Sequence, residues 1–102
     1  MKRALLFSLA LVLGAACATP MPHVTPVQAD RASARWPDAN LAALESGRAL
    51  YLGRCGSCHR HYLPSELTEA QWMAQIPDMR ARAKLNPEQT EAVLRYLLSA
   101  RE

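Results

Sequence analysis

Three side chains within five positions carry the chemistry of this 102-residue chain: Cys55, Cys58 and His59, in the run Cys55-Gly56-Ser57-Cys58-His59. That order and spacing mark a covalent attachment site for c-type haem. Each thiol adds across one vinyl group and becomes a thioether. Two intervening residues let both sulfurs reach the two vinyl positions from one turn of chain. The histidine then lies beneath the ring, where its imidazole takes one axial position on iron. Two other chemistries use paired thiols. A redox dithiol of the thioredoxin kind needs a βαβ context, and the sequence has no such pattern. A structural zinc site needs four ligands, usually with a second pair at a distance. Beyond the motif only His23, His61 and Cys17 remain.

The motif has to be positioned by helices. Asp38, directly after Pro37, is placed to cap a first helix running to about Arg54. Leu41, Leu44, Tyr51 and Leu52 fall broadly on one face of it, with Gly47 on the same side. A glycine inside a helix costs about 1 kcal/mol against alanine, and often marks the close approach of another backbone. Tyr62-Leu63-Pro64 breaks the chain after the motif. Thr68-Glu69-Ala70-Gln71 is a capping box that opens a helix carrying Trp72, Ile76 and Met79. Pro77 is expected to kink or end that helix near Ile76. Asn86-Pro87-Glu88-Gln89 opens a last helix with an apolar stripe of Ala92, Val93, Tyr96, Leu97 and Ala100. The expected fold is all-α, three to four helices around the bound group.

Gly47-x-x-x-Tyr51-x-x-x-Cys55-x-x-Cys58-His59 resembles the N-terminal helix and haem motif of class I cytochromes c. Val93 to Leu97 resembles that family's closing helix, with Tyr96 as its aromatic. The resemblance covers about Ala39 to Ala100, with a short and weakly matching middle. It implies one haem c and packing of Gly47 and Tyr51 against Tyr96. In the family a proline carbonyl after the histidine accepts the imidazole N–H. Pro64 is the candidate, five residues beyond His59 and closer than usual; a plain turn proline is the other reading.

The sixth ligand is also a matter of resemblance. Trp72-x6-Met79 is similar to small cytochromes c in which the methionine binds iron, which makes Met79 the partner of His59. Met73 is about 100° away from Trp72 around the helix, and is read as filler. His61 is too near His59 to reach the opposite haem face and is read as surface, and His23 as solvated. Arg80, Arg82 and Lys84 follow Met79. They suit a solvated helix end, with steering of an acidic redox partner as the alternative. Met79 comes only 20 positions after His59, so the haem edge is expected to be exposed.

The ends of the chain set the compartment. Met1-Lys2-Arg3 is a basic n-region and Ala4 to Ala16 is almost unbroken apolar sequence, which suits a signal peptide over 1–16. Leu13-Gly14-Ala15-Ala16-Cys17 resembles a bacterial lipobox, with Gly14 where leucine is usual, and makes Cys17 the lipidated N-terminus. An ordinary secretory leader cleaved nearby is the other reading. Residues 17–37, rich in Pro, Thr and Ala, read as a tether that holds a domain over 38–102 off a membrane by tens of ångströms. Without Lys2 and Arg3 the remainder holds ten basic and nine acidic residues, a net of +1, so nothing argues for nucleic acid.

The expected protein is a monomeric one-electron carrier between exported redox proteins, on the periplasmic face of a membrane or soluble in the periplasm. Ala18 after Cys17 leans towards the outer membrane. The alternatives are a haem-based small-ligand sensor and an electron-transfer subunit of a separate oxidoreductase. No catalytic triad or second cluster suggests a stand-alone enzyme. The 65 residues of 38–102 make a small apolar core, so haem is expected to serve as part of it. A haem-free Cys55→Ala/Cys58→Ala variant is therefore expected to lose most of its helical circular dichroism; native-like ellipticity would refute this.

Overall fold

The computed structural model describes residues 20–55 and 60–101. Among these the chain is all-helical and has no strand: α1 (Pro26–Arg35), α2 (Leu41–Arg54), α3 (Glu69–Met79) and α4 (Pro87–Ala100). A single 3-10 turn over Pro64–Glu66 precedes α3. Cys17, Cys58 and His59 lie outside the described residues.

Side-chain caps set where the helices begin. The Thr68 hydroxyl accepts the Gln71 N–H while the Gln71 side chain accepts the Thr68 N–H. Asn86 and Gln89 make the same reciprocal pair, with Pro87 in the first turn. Each exchange satisfies two of the backbone donors that a helix start leaves over. α2 begins two residues later than its sequence suggests. Asn40, not Asp38, is its cap and accepts the Ala43 N–H at 2.8 Å. Asp38 instead takes the Arg95 guanidinium of α4 at 3.0 Å. α3 likewise outruns its expected end and carries Pro77 inside it as far as Met79. In that last turn proline removes only the bond to the Met73 carbonyl, so little helix is left to disrupt. The turn that follows closes when Leu85 N–H reaches Arg80 O and Lys84 N–H reaches Ala81 O. Lys84 takes the left-handed conformation there, at φ 55°.

The stretch read as a tether has a different form where it is described. Residues 26–35 are helix α1, opened by a capping box between Thr25 and Gln28 with Pro26 in the first turn. Met21, Val24, Ala29 and Ala32 are buried in the same core as the rest of the domain. α1 is tied to α3 by Arg35 and Glu69 at 2.6 Å. The ring of Trp36, at its end, has the guanidinium groups of Arg35 and Arg95 over it at 4.5 and 5.4 Å. Among the described residues the packed unit thus reaches back to Met21, ahead of Asp38. One proline of this stretch, Pro26, starts a helix instead of extending a linker.

The core is centred on the crossing of α2 and α4. Leu44 and Tyr51 of α2 and Val93, Tyr96 and Leu97 of α4 are all buried. Gly47 is where the two backbones meet: a Cβ there would lie 2.1 Å from the Ala92 carbonyl oxygen and 2.9 Å from the Tyr96 Cβ. Tyr51 and Tyr96 pack with ring centroids 6.4 Å apart, the pairing the sequence implies. Gly53, six residues along the same helix, has open space where its Cβ would be. The two glycines therefore answer alanine differently. Gly47→Ala is expected to cost about 3 kcal/mol by forcing the helices apart. Gly53→Ala is expected to gain about 0.5 kcal/mol from the unfolded state. Guanidinium denaturation of both variants checks the contrast.

Candidate functional site

The described residues on either side of the Cys55–His59 run are fixed to each other. On its N-terminal side α2 ends at Arg54, and the Cys55 N–H donates to the Tyr51 carbonyl at 3.1 Å. On the other side the Tyr51 hydroxyl donates to the Tyr62 carbonyl at 2.7 Å. The His61 Nε2 lies 3.0 Å from the Leu52 carbonyl. A carbonyl only accepts, so that nitrogen carries the proton. The strand of chain entering the motif and the one leaving it are therefore joined by two hydrogen bonds. His61 is half-buried, with its ring edge-on to Tyr51 at 5.4 Å, and so is not the surface residue the sequence suggests.

Beside this closure lies a cleft of about 230 Å³ lined by Tyr51, Cys55, Arg60, Tyr62, Trp72, Gln75, Ile76 and Met79. α2 supplies Tyr51, and α3 supplies Trp72, Ile76 and Met79 from one side of the helix. Trp72 is held twice. Its indole N–H donates to the Pro64 carbonyl at 2.8 Å, and its ring stands perpendicular to Tyr51 at 6.0 Å. The Pro64 carbonyl, the candidate partner of the proximal imidazole, thus already accepts from Trp72. Met73, 49 % exposed, does not line the cleft.

Burial shapes the titration of the site. It pushes the half-buried Cys55 thiol above its ordinary range, so the sulfur is held neutral and presented among apolar walls. The Tyr51 hydroxyl is also raised, first by burial and then by the neighbouring Cys55, and remains a donor throughout the physiological range. At the mouth Arg60 makes paired bonds to Glu66 at 3.1 and 3.2 Å and lies over the Tyr62 ring at 4.4 Å. The guanidinium is the principal cause that holds the Glu66 carboxyl below its usual range.

In kind, the described donors fit an iron porphyrin: a sulfur at Cys55 for covalent attachment, a thioether at Met79, and aromatic and aliphatic walls between them. The volume is below the roughly 300–1,000 Å³ of common ligand pockets. Residues 56–59, between the lining residues Cys55 and Arg60, are outside the described part. Sequence reasoning passed over Arg60, Tyr62 and Gln75. Arg60 directly follows the motif, which is a usable signal; Gln75 stands three residues after Trp72 and four before Met79, so helical spacing puts it on their face. Arg80 and Arg82 are exposed. No protein-family model, no curated protein and no solved structure matches this chain.

Pro64 is among the most deeply buried residues, so its carbonyl depends on the indole. Trp72→Phe keeps an aromatic ring but leaves that oxygen unpaired. It is expected to lower stability by about 1–3 kcal/mol. Tyr51→Phe, which unpairs the carbonyl of the exposed Tyr62, is expected to cost about 1 kcal/mol or less. Urea titration of the two variants checks this order.

Proposed function

We propose that this chain is a single-haem electron-transfer protein of the small c-type cytochrome kind, exported and lipid-anchored through Cys17. Cys55 and Cys58 hold the haem by thioethers, and His59 and Met79 are its axial ligands. When bound, the haem supplies a one-electron Fe(III)/Fe(II) couple. The chain's own residues do the rest. Trp72 and Ile76 keep water from one side of the cleft. Tyr51, bonded across the motif, holds Cys55 at the end of α2. Arg60, paired with Glu66, covers the Tyr62 ring at the mouth.

One observation carries the reading: Cys55 and Met79, far apart in sequence, line one cleft whose walls are mainly apolar and aromatic. A redox dithiol has no use for a distant thioether facing it. The exposed position of Met73 favours Met79 as the sulfur ligand.

The visible spectrum of the purified protein tests this. A pyridine haemochrome band of the two-thioether type is expected, with a weak far-red ferric band from a sulfur–iron bond. Met79→Ala is expected to abolish the far-red band and to admit carbon monoxide to the reduced protein. Persistence of the band in Met79→Ala would assign the ligand elsewhere. Ready binding of carbon monoxide by the unaltered protein would favour a ligand sensor.

A further inference from the structure

The contacts that fix the start of the described chain also decide how far the domain can stand from an anchor at Cys17. The Arg48 guanidinium donates to the Met21 carbonyl at 3.0 and 3.3 Å. The Tyr96 hydroxyl donates to the Pro22 carbonyl at 2.6 Å. Glu45 accepts the Val24 N–H on one oxygen at 2.8 Å and lies 3.0 Å from His23 Nδ1 with the other. Met21 and Val24 are themselves buried. Burial alone would raise the Glu45 carboxyl, yet its bonds to Val24 and His23 and the nearby Arg48 outweigh that and hold it below the usual range. Charge and packing thus grip the same few residues.

The chain is therefore part of the folded body from Met21 onward. Ala18, Thr19 and Pro20 alone separate Met21 from Cys17. Four residue steps reach at most about 14 Å, against roughly 70 Å for free chain running to Pro37. The face next to this point is a shallow groove lined by Pro20, Pro22, His23, Leu63, Pro64 and Arg101, among others. Its lining is mixed: the prolines, Leu63 and Ala100 are apolar, Thr25, Gln28 and Ser65 are polar, and Arg101 is basic.

We propose that the domain is seated against the lipid surface with this groove face turned to it, and is kept there by the shortness of the chain before Met21. The proposal rests on the reading of Cys17 as lipidated. It also places the haem cleft near the bilayer, because Pro64 lines the groove while its carbonyl holds the Trp72 indole that walls the cleft.

The test uses full-length haem-loaded protein, purified with its anchor and bound to a supported bilayer of phosphatidylethanolamine and phosphatidylglycerol. Neutron reflectometry reads the water gap between headgroups and protein. A gap of no more than about 14 Å is expected. A second protein with about fifteen Gly/Ser residues inserted between Ala18 and Thr19 is expected to stand off by about 20 Å more. A wild-type gap of several tens of ångströms overturns the proposal, and so does a gap that the insertion leaves unchanged. An unmodified Cys17 in the mass of the N-terminal peptide overturns it through its premise. The visible spectrum of the same sample reports separately on the haem reading.

Discussion

The approach of α2 to α4 at Gly47 is the constraint on which the other contacts depend. With only a hydrogen at Gly47, the Ala92 carbonyl can come to where a Cβ would lie at 2.1 Å. That closeness brings Tyr51 and Tyr96 into contact on one side of the crossing. It also aims two hydroxyls in different directions. Tyr51 reaches the chain after the Cys55–His59 run, at Tyr62, and Tyr96 reaches the chain before α1. One helix crossing thus governs both the closure around the motif and the docking of the N-terminal segment. Neither hydroxyl is easily ionised: burial pushes Tyr96 up to about 12, and raises Tyr51 as well. Both donors therefore persist across the pH range in which proteins ordinarily work.

What could be read from the sequence was what is decided locally. The boxes at Thr68 and Asn86 place their helices because the partners sit three residues away. Gly47 advertises a close approach because glycine in a helix needs a reason. The α1 helix carries the same local signal, Thr25 with Gln28 and Pro26 between, but its buried side chains Ala29 and Ala32 make no strong apolar stripe. The surrounding prolines then suggest a linker. The choice of cap for α2 was not legible, since Asp38 is taken by Arg95, 57 residues away. The same holds at the site. The residues of the motif are visible in the sequence, whereas the partner of the Pro64 carbonyl depends on the path of α3.

The polar contacts around the site are mostly bonds from side chains to main-chain carbonyls. Tyr51, His61, Trp72, Tyr96, Arg48 and Arg101 each reach a carbonyl in a segment that is not helical or ends a helix. Such bonds fix irregular chain without asking for a particular side chain on the receiving residue. They allow residues 60–68, ahead of α3, to hold a defined path with only one short 3-10 turn of regular structure. The exposed ion pairs add less, because solvent screens them.

The bond from Tyr96 to Pro22 joins residues 74 apart. Pro22 therefore cannot take this partner until Tyr96 has also been made, and the search across 74 residues is a slow, non-local step of folding. Until α4 has formed and crossed α2, the chain ahead of α1 lacks the hydroxyl that holds it.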